Sequence, residues 1–365
     1  MSSHPVALPY TVLEVSGEEA LSFLQGQLTN SLTKLEGLCL NQPTAHQRNG
    51  YCSAKGRLLA NFRAWKTSAQ TVRLLMPQDL AQGVLKRLKM FVLRAKVQID
   101  ALEGQVYGLV GLPPLETPAL MTFQLSPQLT LLSDPYSEVS GAQRAWLFHE
   151  GSAGLQPSSL PDLLPALGEA WPNPSGQALA PHFCDPSDWH WRQTRSAEPW
   201  IQASTQEQFV PQTLNFELLQ GVDFQKGCYP GQEVVARSQY LGKLKKRLFV
   251  VSAAPDLLDL PLGSDIWLRR TPVLQATGAA GGVAGEAVES LPPEDTPVGE
   301  LVQSAVGEST LALVSIDLAA WRACLEAAGQ LVAGTSPQNG LGLQPLPQPY
   351  SVPLEISQPV RPKLG

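Results

Sequence analysis

An α+β fold, two α+β units followed by an antiparallel β-barrel, is the class this sequence predicts. Three observations predict it. Helical and alternating apolar spacings interleave over the first hundred residues, strand-like runs continue from about residue 105, and past Arg247 the chain turns to short β runs punctuated by Gly and Pro. The 365 residues, 43% of them hydrophobic, suffice for two or three cores. The expected divisions are 1–104, an N-terminal α+β domain; 105–246, a second α+β domain; 247–340, the barrel; and 341–365, a Pro-rich tail.

Ser16, followed by Glu18, Glu19 and the apolar Ala20, Leu21, Phe23 and Leu24, reads as an N-capped amphipathic helix with acids in its first turn, ending over residues 25–30. Residues 39–65 read as a hairpin or meander broken at Asn49-Gly50 and Lys55-Gly56. Residues 79–91 set Leu80, Val84, Leu85 and Leu88 on one helical stripe, which is core, and 97–100 alternate as a strand. Strands are expected at 106–112, 129–132 and 143–148, whereas 157–175 is proline-dense and reads as an irregular connection. The barrel strands are expected at 248–251, 265–268, 298–304 and 310–316. Residues 276–287, rich in Gly and Ala, read as a barrel-loop insertion, and the tail after Gly340 as extended chain.

The net charge of −6 and a pI near 5.5 argue against a protein that grips nucleic acid mainly through phosphates, so strong direct nucleic-acid binding is not expected. No apolar run reaches membrane-span length, and the N-terminus lacks a basic region followed by an apolar stretch; a cytoplasmic protein is expected. The five thiols, Cys39, Cys52, Cys184, Cys228 and Cys324, are an odd, scattered set with no C-x-x-C pair. That is unlike a disulfide framework, a zinc site or a protein-owned iron-sulfur cluster, and no intrinsic metal is expected. Cys39 and Cys324 stand in apolar settings and read as core thiols.

One thiol stands apart. The run Lys226-Gly227-Cys228-Tyr229-Pro230-Gly231-Gln232-Glu233, closing on Arg237, gathers a thiol, two cations, a carboxylate and two glycines. A thiol reacts as thiolate, which a neighbouring ammonium such as Lys226 would stabilise, while Gly227 and Gly231 permit positive φ or close approach. Tyr229-Pro230-Gly231 reads as a type II turn, and the β-branched content of Val234-Val235-Ala236 as a strand after it. The plain alternative is that Cys228 packs as a small hydrophobe.

These residues also carry a resemblance. The octapeptide, with Pro211-Gln212-Thr213-Leu214-Asn215 upstream, resembles the signature of the YgfZ-type folate-binding proteins, relatives of the glycine-cleavage aminomethyltransferase (T-protein). The likeness continues in Phe23-Leu24-Gln25-Gly26-Gln27-Leu28-Thr29-Asn30, in Ala54-Lys55-Gly56-Arg57 and in Val298-Gly299-Glu300-Leu301-Val302-Gln303-Ser304. It implies an aminomethyltransferase-like folate-binding fold and a monomer that binds tetrahydrofolate or a one-carbon derivative. It also implies support for assembly or repair of iron-sulfur clusters in client enzymes, including those that thiolate tRNA. In that setting Cys228 and Lys226 become the catalytic candidates, with Gly227, Tyr229, Gly231, Gln232, Glu233 and Arg237 shaping their loop. Gln25, Gln27, Asn30, Gln212 and Asn215 become the amides for the pterin edge, and Arg57 and Arg237 could meet folate carboxylates. Those amides serve equally well as caps of helix ends and loops. The basic run Lys243, Lys245, Lys246 and Arg247 could receive a polyglutamate tail or stand as a solvated face. Family members carry Glu-x-Gly-Ile-Pro where this chain has Arg195-Ser196-Ala197-Glu198-Pro199, so Arg195 replaces the expected carboxylate and Glu198 stands displaced. Whether Cys228 would hold a persulfide, a cluster or a mixed disulfide, or attack a folate-borne carbon, stays open at the level of sequence. So do two other functions, a folate-dependent aminomethyl or formyl transferase and a noncatalytic folate-regulated adaptor.

Overall fold

The protein is described as a computed structural model over residues 5–37, 43–113, 115, 120–134, 143–155, 159–171, 176, 180–241, 244–270, 296–326, 329–336, 338 and 340–348. Cys39, Lys243, the insertion at 276–287 and the tail beyond 348 lie outside these residues. In chain order the strands and helices are β1 (Tyr10–Ser16), α1 (Ala20–Gln25), β2 (Thr44–Ala45), β3 (Gln47–Cys52), β4 (Leu58–Ser68), β5 (Thr71–Pro77), α2 (Gln78–Val92), β6 (Gln98–Ala101), β7 (Gly104–Leu112), β8 (Met121–Ser126), β9 (Leu129–Asp134), β10 (Gln143–Glu150), α3 (Ser159–Ala170), β11 (His182–Cys184), α4 (Pro186–Arg195), α5 (Gln232–Tyr240), β12 (Lys246–Ala253), β13 (Asp265–Arg270), β14 (Gly299–Val306), β15 (Thr310–Asp317), α6 (Leu318–Leu325), β16 (Gly329–Ala333) and β17 (Leu341–Pro345). Three antiparallel sheets result. The first has the order β3-β4-β5-β1-β6, the second β11-β7-β10-β9-β8-β2, and the third is a closed barrel, β12-β15-β14-β13-β16-β17.

The chain divides into two compact units. One comprises residues 1–190, 200–211 and 216–236; the other comprises 191–199, 212–215 and 237–365. Both open sheets lie in the first unit and share a core. Val12, Trp65 and Leu75 of the first sheet pack with Val106, Val110, Leu132, Trp146 and Phe148 of the second. The expected boundary at 104/105 thus falls inside one unit. Trp146 centres an aromatic cluster, meeting Tyr10 at 4.7 Å and Trp189 at 4.6 Å between centroids, both edge to face. Gly108 makes room for it, since a Cβ there would lie 2.4 Å from the Trp189 ring.

A charged knot sits in the same buried layer. Arg144 Nε donates to Asp134 Oδ2 at 3.0 Å, Arg63 lies 3.9 Å from the same oxygen, and all three side chains are at most 1% exposed. Burial is the largest influence on Asp134 and raises its pKa. Arg144, Arg63 and Arg48, with the Arg144 hydrogen bond, outweigh it and hold the carboxyl below its ordinary value.

Several local expectations are corrected. Ser16 ends β1 rather than capping a helix, because Gly17 turns the chain at φ 126° and α1 begins only at Ala20. Asn49-Gly50 lies inside β3. The strand keeps its glycine because a Cβ would meet Leu58 at 2.8 Å and Thr29 Oγ1 at 2.9 Å. The proline-dense stretch holds α3, whose Leu163 and Leu167 cover the second sheet with Trp171. The barrel closes with β16 and β17, so residues 341–345, expected as tail, are a strand paired with β12 and β16. Cys324 is only partly buried, at the edge of the barrel core.

Removing the Asp134 charge strands buried guanidinium groups. Asp134→Ala is expected to cost about 3–5 kcal/mol in urea unfolding. The carboxyl's lowered pKa means its contribution is present above its unfolded value of 3.8 and lost as pH falls through the folded one. The same measurement between pH 5 and 2 should show a steeper loss of stability in the native protein than in the variant, which keeps only the contributions of other lowered carboxyls such as Asp185 and Asp223.

Candidate functional site

The Cys228 loop is built on a turn that the sequence anticipates. Gly231 has φ 77° and Gln232 N–H donates to Tyr229 C=O at 3.2 Å, as a type II turn with Pro230 at its first central position requires. The turn leads into the helix α5 and not into the expected strand. The Gly231 carbonyl accepts the Val234 and Val235 amides, Glu233 occupies the first turn, and good helix formers surround the two valines. Their β preference, a few tenths of a kcal/mol each, is thereby overridden.

Gly231 docks on the turn between β3 and β4. A Cβ on Gly231 would lie 2.3 Å from Ser53 C=O and 2.6 Å from Gly56 Cα, and one on Gly56 would lie 2.7 Å from Val234 Cβ. Both glycines also hold positive φ, 77° and 70°. Two motifs about 175 residues apart therefore lock backbone to backbone. Gly227 differs: its φ is ordinary and a Cβ would meet nothing within 4 Å.

Lys226 ties in a third motif. Its side chain is 9% exposed, and its ammonium donates to the C=O of Gln25, the last residue of α1, at 2.7 Å and to Leu28 C=O just beyond the helix, while lying 5.1 Å from the Tyr229 ring centroid. The charge that the sequence sets beside the sulfur is thus spent on α1. Burial pushes Lys226 down to about 8, against the opposing pull of Asp223. Beneath the loop, burial raises Tyr229, with Cys52 adding to it, and Cys52 itself is pushed up to about 12 by burial. Cys228 is exposed, whereas Cys52 and Cys184 are buried. Gln232 Nε2 reaches Lys226 C=O at 3.5 Å, and Glu233 stands exposed at the start of α5.

The amides divide sharply. Gln25 accepts from Leu32 N–H and donates to Ser31 Oγ, both at 3.0 Å. Asn30 donates to Arg48 C=O and Gln220 C=O and accepts from Ser31 N–H. Arg57 Nη1 donates to Gln208 C=O at 2.5 Å. These groups clamp loops. Among the amides of the N-terminal motif Gln27 differs from Gln25 and Asn30, because its Oε1 is buried and has no hydrogen-bond partner among the described residues. Thr29, to which the sequence assigned no role, donates to Gly221 C=O and accepts from Gly50 N–H, joining β3 to the stretch before Lys226.

Gln212, Asn215 and Arg237 belong to the second unit. Gln212 is buried and its carbonyl accepts from Arg247 at 3.2 Å. Asn215, at φ 55°, brackets Leu248 of β12 with its side-chain amide, donating to the carbonyl and accepting from the N–H. Arg237 is exposed on α5. Arg195 stands 5.4 Å from the Trp191 ring centroid, and Glu198 is 1% exposed with its N–H on Gln193 C=O. In the basic run, Lys246 pairs with Glu300 at 2.7 Å and Lys245 is exposed. Among the described residues no cluster of three or more His, Cys, Asp or Glu is placed to hold a metal, and no helix is long and apolar enough to cross a membrane.

Two antiparallel sheets in one unit and a closed barrel in the other define an aminomethyltransferase-type fold. The chain superposes on glycine cleavage system aminomethyltransferase T from Bartonella henselae with a TM-score of 0.57 at 12% identity, covering 97% of this chain and 86% of that one. In sequence it is 32% identical over 303 residues to the tRNA-modifying protein YgfZ of Edwardsiella ictaluri, covering 76% of this chain and 81% of that protein. It is 30% identical over 266 residues to the tRNA-modifying protein YgfZ of Colwellia psychrerythraea, covering 70% and 72%. The chain belongs to the YgfZ family. No protein-family model matches it.

The two loop glycines should respond in opposite ways. Gly231→Ala is expected to cost about 1–3 kcal/mol by thermal or urea unfolding, from positive φ and the clash with Ser53. Gly227→Ala should stay within about 0.5 kcal/mol. Lys226 gives a pH signature. Its folded pKa, about 8, lies below its unfolded value of 10.5, so the folded state sheds the proton first and stability rises as pH climbs between the two. Because Cys52 and Tyr229, with raised pKa values, act in the opposite direction in both proteins, the readout is the difference: the stability of the native protein relative to Lys226→Met, from urea midpoints, should rise from pH 7.5 to 10.5.

Proposed function

We propose that this YgfZ-family protein binds a reduced folate and uses the Cys228 thiol to support assembly or repair of iron-sulfur clusters in client enzymes, tRNA-thiolating enzymes among them. The observation that carries the reading is the placement of Cys228. The sulfur is exposed on a loop whose backbone is fixed by Gly56 and Gly231 and whose root is fixed by Lys226. A thiol presented this way is accessible to another macromolecule, and rigidity keeps it in one position for exchange of sulfur or metal with a client.

Gln27 supports the folate half. A buried carbonyl oxygen without a donor is costly to leave unmet, and the aminopyrimidinone edge of a reduced folate supplies N–H donors of the right kind. Gln25 and Asn30 hold the loops around it and are not ligands in this reading. Lys226 acts as a positioning residue, setting the distance between the end of α1 and the thiol loop.

Calorimetric titration with tetrahydrofolate tests the ligand. Binding is expected, about tenfold weaker in Gln27→Ala; absence of binding by every reduced folate removes this half. Cys228→Ala should bind folate like the native protein and fail to restore tRNA thiolation in cells lacking the native protein. Full restoration by Cys228→Ala removes the thiol half, and turnover of a one-carbon folate by the purified protein would favour a transferase instead.

A further inference from the structure

The segment that leads into the Cys228 loop, residues 219–226, forms no strand or helix, so its carbonyls have no ladder to join. Side chains from earlier in the chain take the place of one. Arg48 Nη1 donates to Leu219 C=O at 3.3 Å, Asn30 Nδ2 to Gln220 C=O at 2.7 Å and Thr29 Oγ1 to Gly221 C=O at 2.6 Å. Asp223 N–H donates to Thr29 C=O at 3.0 Å, and Lys34 meets the Asp223 carboxylate at 3.1 Å. These contacts strap the segment to the first sheet. Within it Gln220 holds φ 60°, a left-handed conformation that a glutamine keeps only where its surroundings fix it.

Thr29 differs from the other holders. It is fully buried and every polar group it owns is committed: its N–H to Gly50 C=O at 2.8 Å, its C=O to Asp223 N–H, and its hydroxyl to two backbones at once. A hydroxyl has a single hydrogen. Because Gly50 N–H can only donate, the threonine oxygen accepts there at 2.8 Å and its own hydrogen is committed to Gly221. Both partners are glycines in tight quarters. A Cβ on Gly50 would lie 2.9 Å from Thr29 Oγ1, and one on Gly221 would lie 2.3 Å from the Phe216 ring. A valine would fill the volume of Thr29 and supply neither bond, so packing does not account for the hydroxyl. The neighbouring restraints are weaker, since Lys34 is 72% exposed and Asn30 only partly buried.

We propose that Thr29 is a positioning residue for Cys228, its hydroxyl pinning residues 219–226 to β3 so that Lys226 and the thiol loop arrive in one register. The path to the sulfur is short. From Gly221 the chain runs five residues to Lys226, whose ammonium takes the Gln25 and Leu28 carbonyls, and Cys228 follows two residues later. One stretch, residues 25–30, thus holds the strap near both of its ends. Without the hydroxyl, Gly221 C=O and Gly50 N–H are left buried and unmet, and the strap relieves them by lifting to admit water. Lifting moves the root of the thiol loop and leaves the core of the unit in place. The inference rests on the thiol half of the proposed function and does not depend on folate.

The test compares, in the full chain, Thr29→Val, which removes the hydroxyl at constant shape, with Thr29→Ser, which keeps it. Hydrogen exchange read by mass spectrometry is expected to speed up about tenfold over residues 219–228 in Thr29→Val and to stay native in Thr29→Ser. In cells lacking the native protein, tRNA thiolation is expected to fall about tenfold with Thr29→Val and to be restored by Thr29→Ser. Leu167→Val, a change in the core on the second sheet, lowers stability without touching the strap and is expected to restore thiolation. Thr29→Ala, which has no branched methyl to accommodate, gives the same readings where Thr29→Val does not fold. Native exchange over the strap in the hydroxyl-free variants overturns the inference, as does full thiolation by them, failure of Thr29→Ser, or an equal loss with Leu167→Val at a matched melting temperature. The thiol reading fails separately, through full restoration by Cys228→Ala, and the exchange measurement then still decides whether the hydroxyl pins the strap.

Discussion

A buried ammonium on two backbone carbonyls holds the candidate site together. Carbonyls at the end of a helix lack intrahelical partners, and the Gln25 carbonyl at the end of α1 faces Lys226, as does that of Leu28, three residues beyond the helix. Burying a lysine is costly, which its depressed pKa records; the Gln25 and Leu28 oxygens, the Tyr229 face and Asp223 offset that cost. Neither side is satisfied without the other. Around this contact Thr29 and Asn30 hold the approach to the loop, and Gly56 meets Gly231 above it.

Three sequence motifs are thus parts of one physical object. Their polar residues look like ligands in isolation, yet most are committed to backbone groups of neighbouring segments. Asn215 does the same for β12, replacing a strand partner with an amide.

The sequence showed the large periodic elements well. The α2 stripe of Leu80, Val84 and Leu88 arises from burial on one face, and β12 and β15 read as short continuous apolar runs because consecutive residues, hence both faces, are buried; each leaves a direct trace in residue order. Less was visible where tertiary contacts decide. The Asn49-Gly50 pair carries a turn signature, but its glycine answers the approach of Thr29 and Leu58 from elsewhere in the chain. The valines after the thiol loop suggest a strand only in a window too short to include the helix start at Gly231. The exposure of Cys228 was the open question of the motif. Nothing in its flanking residues distinguishes a presented thiol from a packed one, because the burial of Lys226 and Tyr229 on either side depends on α1 and β3.

The grip of Lys226 on Leu28 joins positions 198 residues apart. A ring of that size closes late, because its entropy must be offset by contacts already formed along the intervening chain. The geometry that presents the sulfur therefore reports completion of nearly the whole first unit. A growing, truncated or locally melted chain would still carry the thiol, but not the frame that aims it, so chemical competence and structural maturity arrive together.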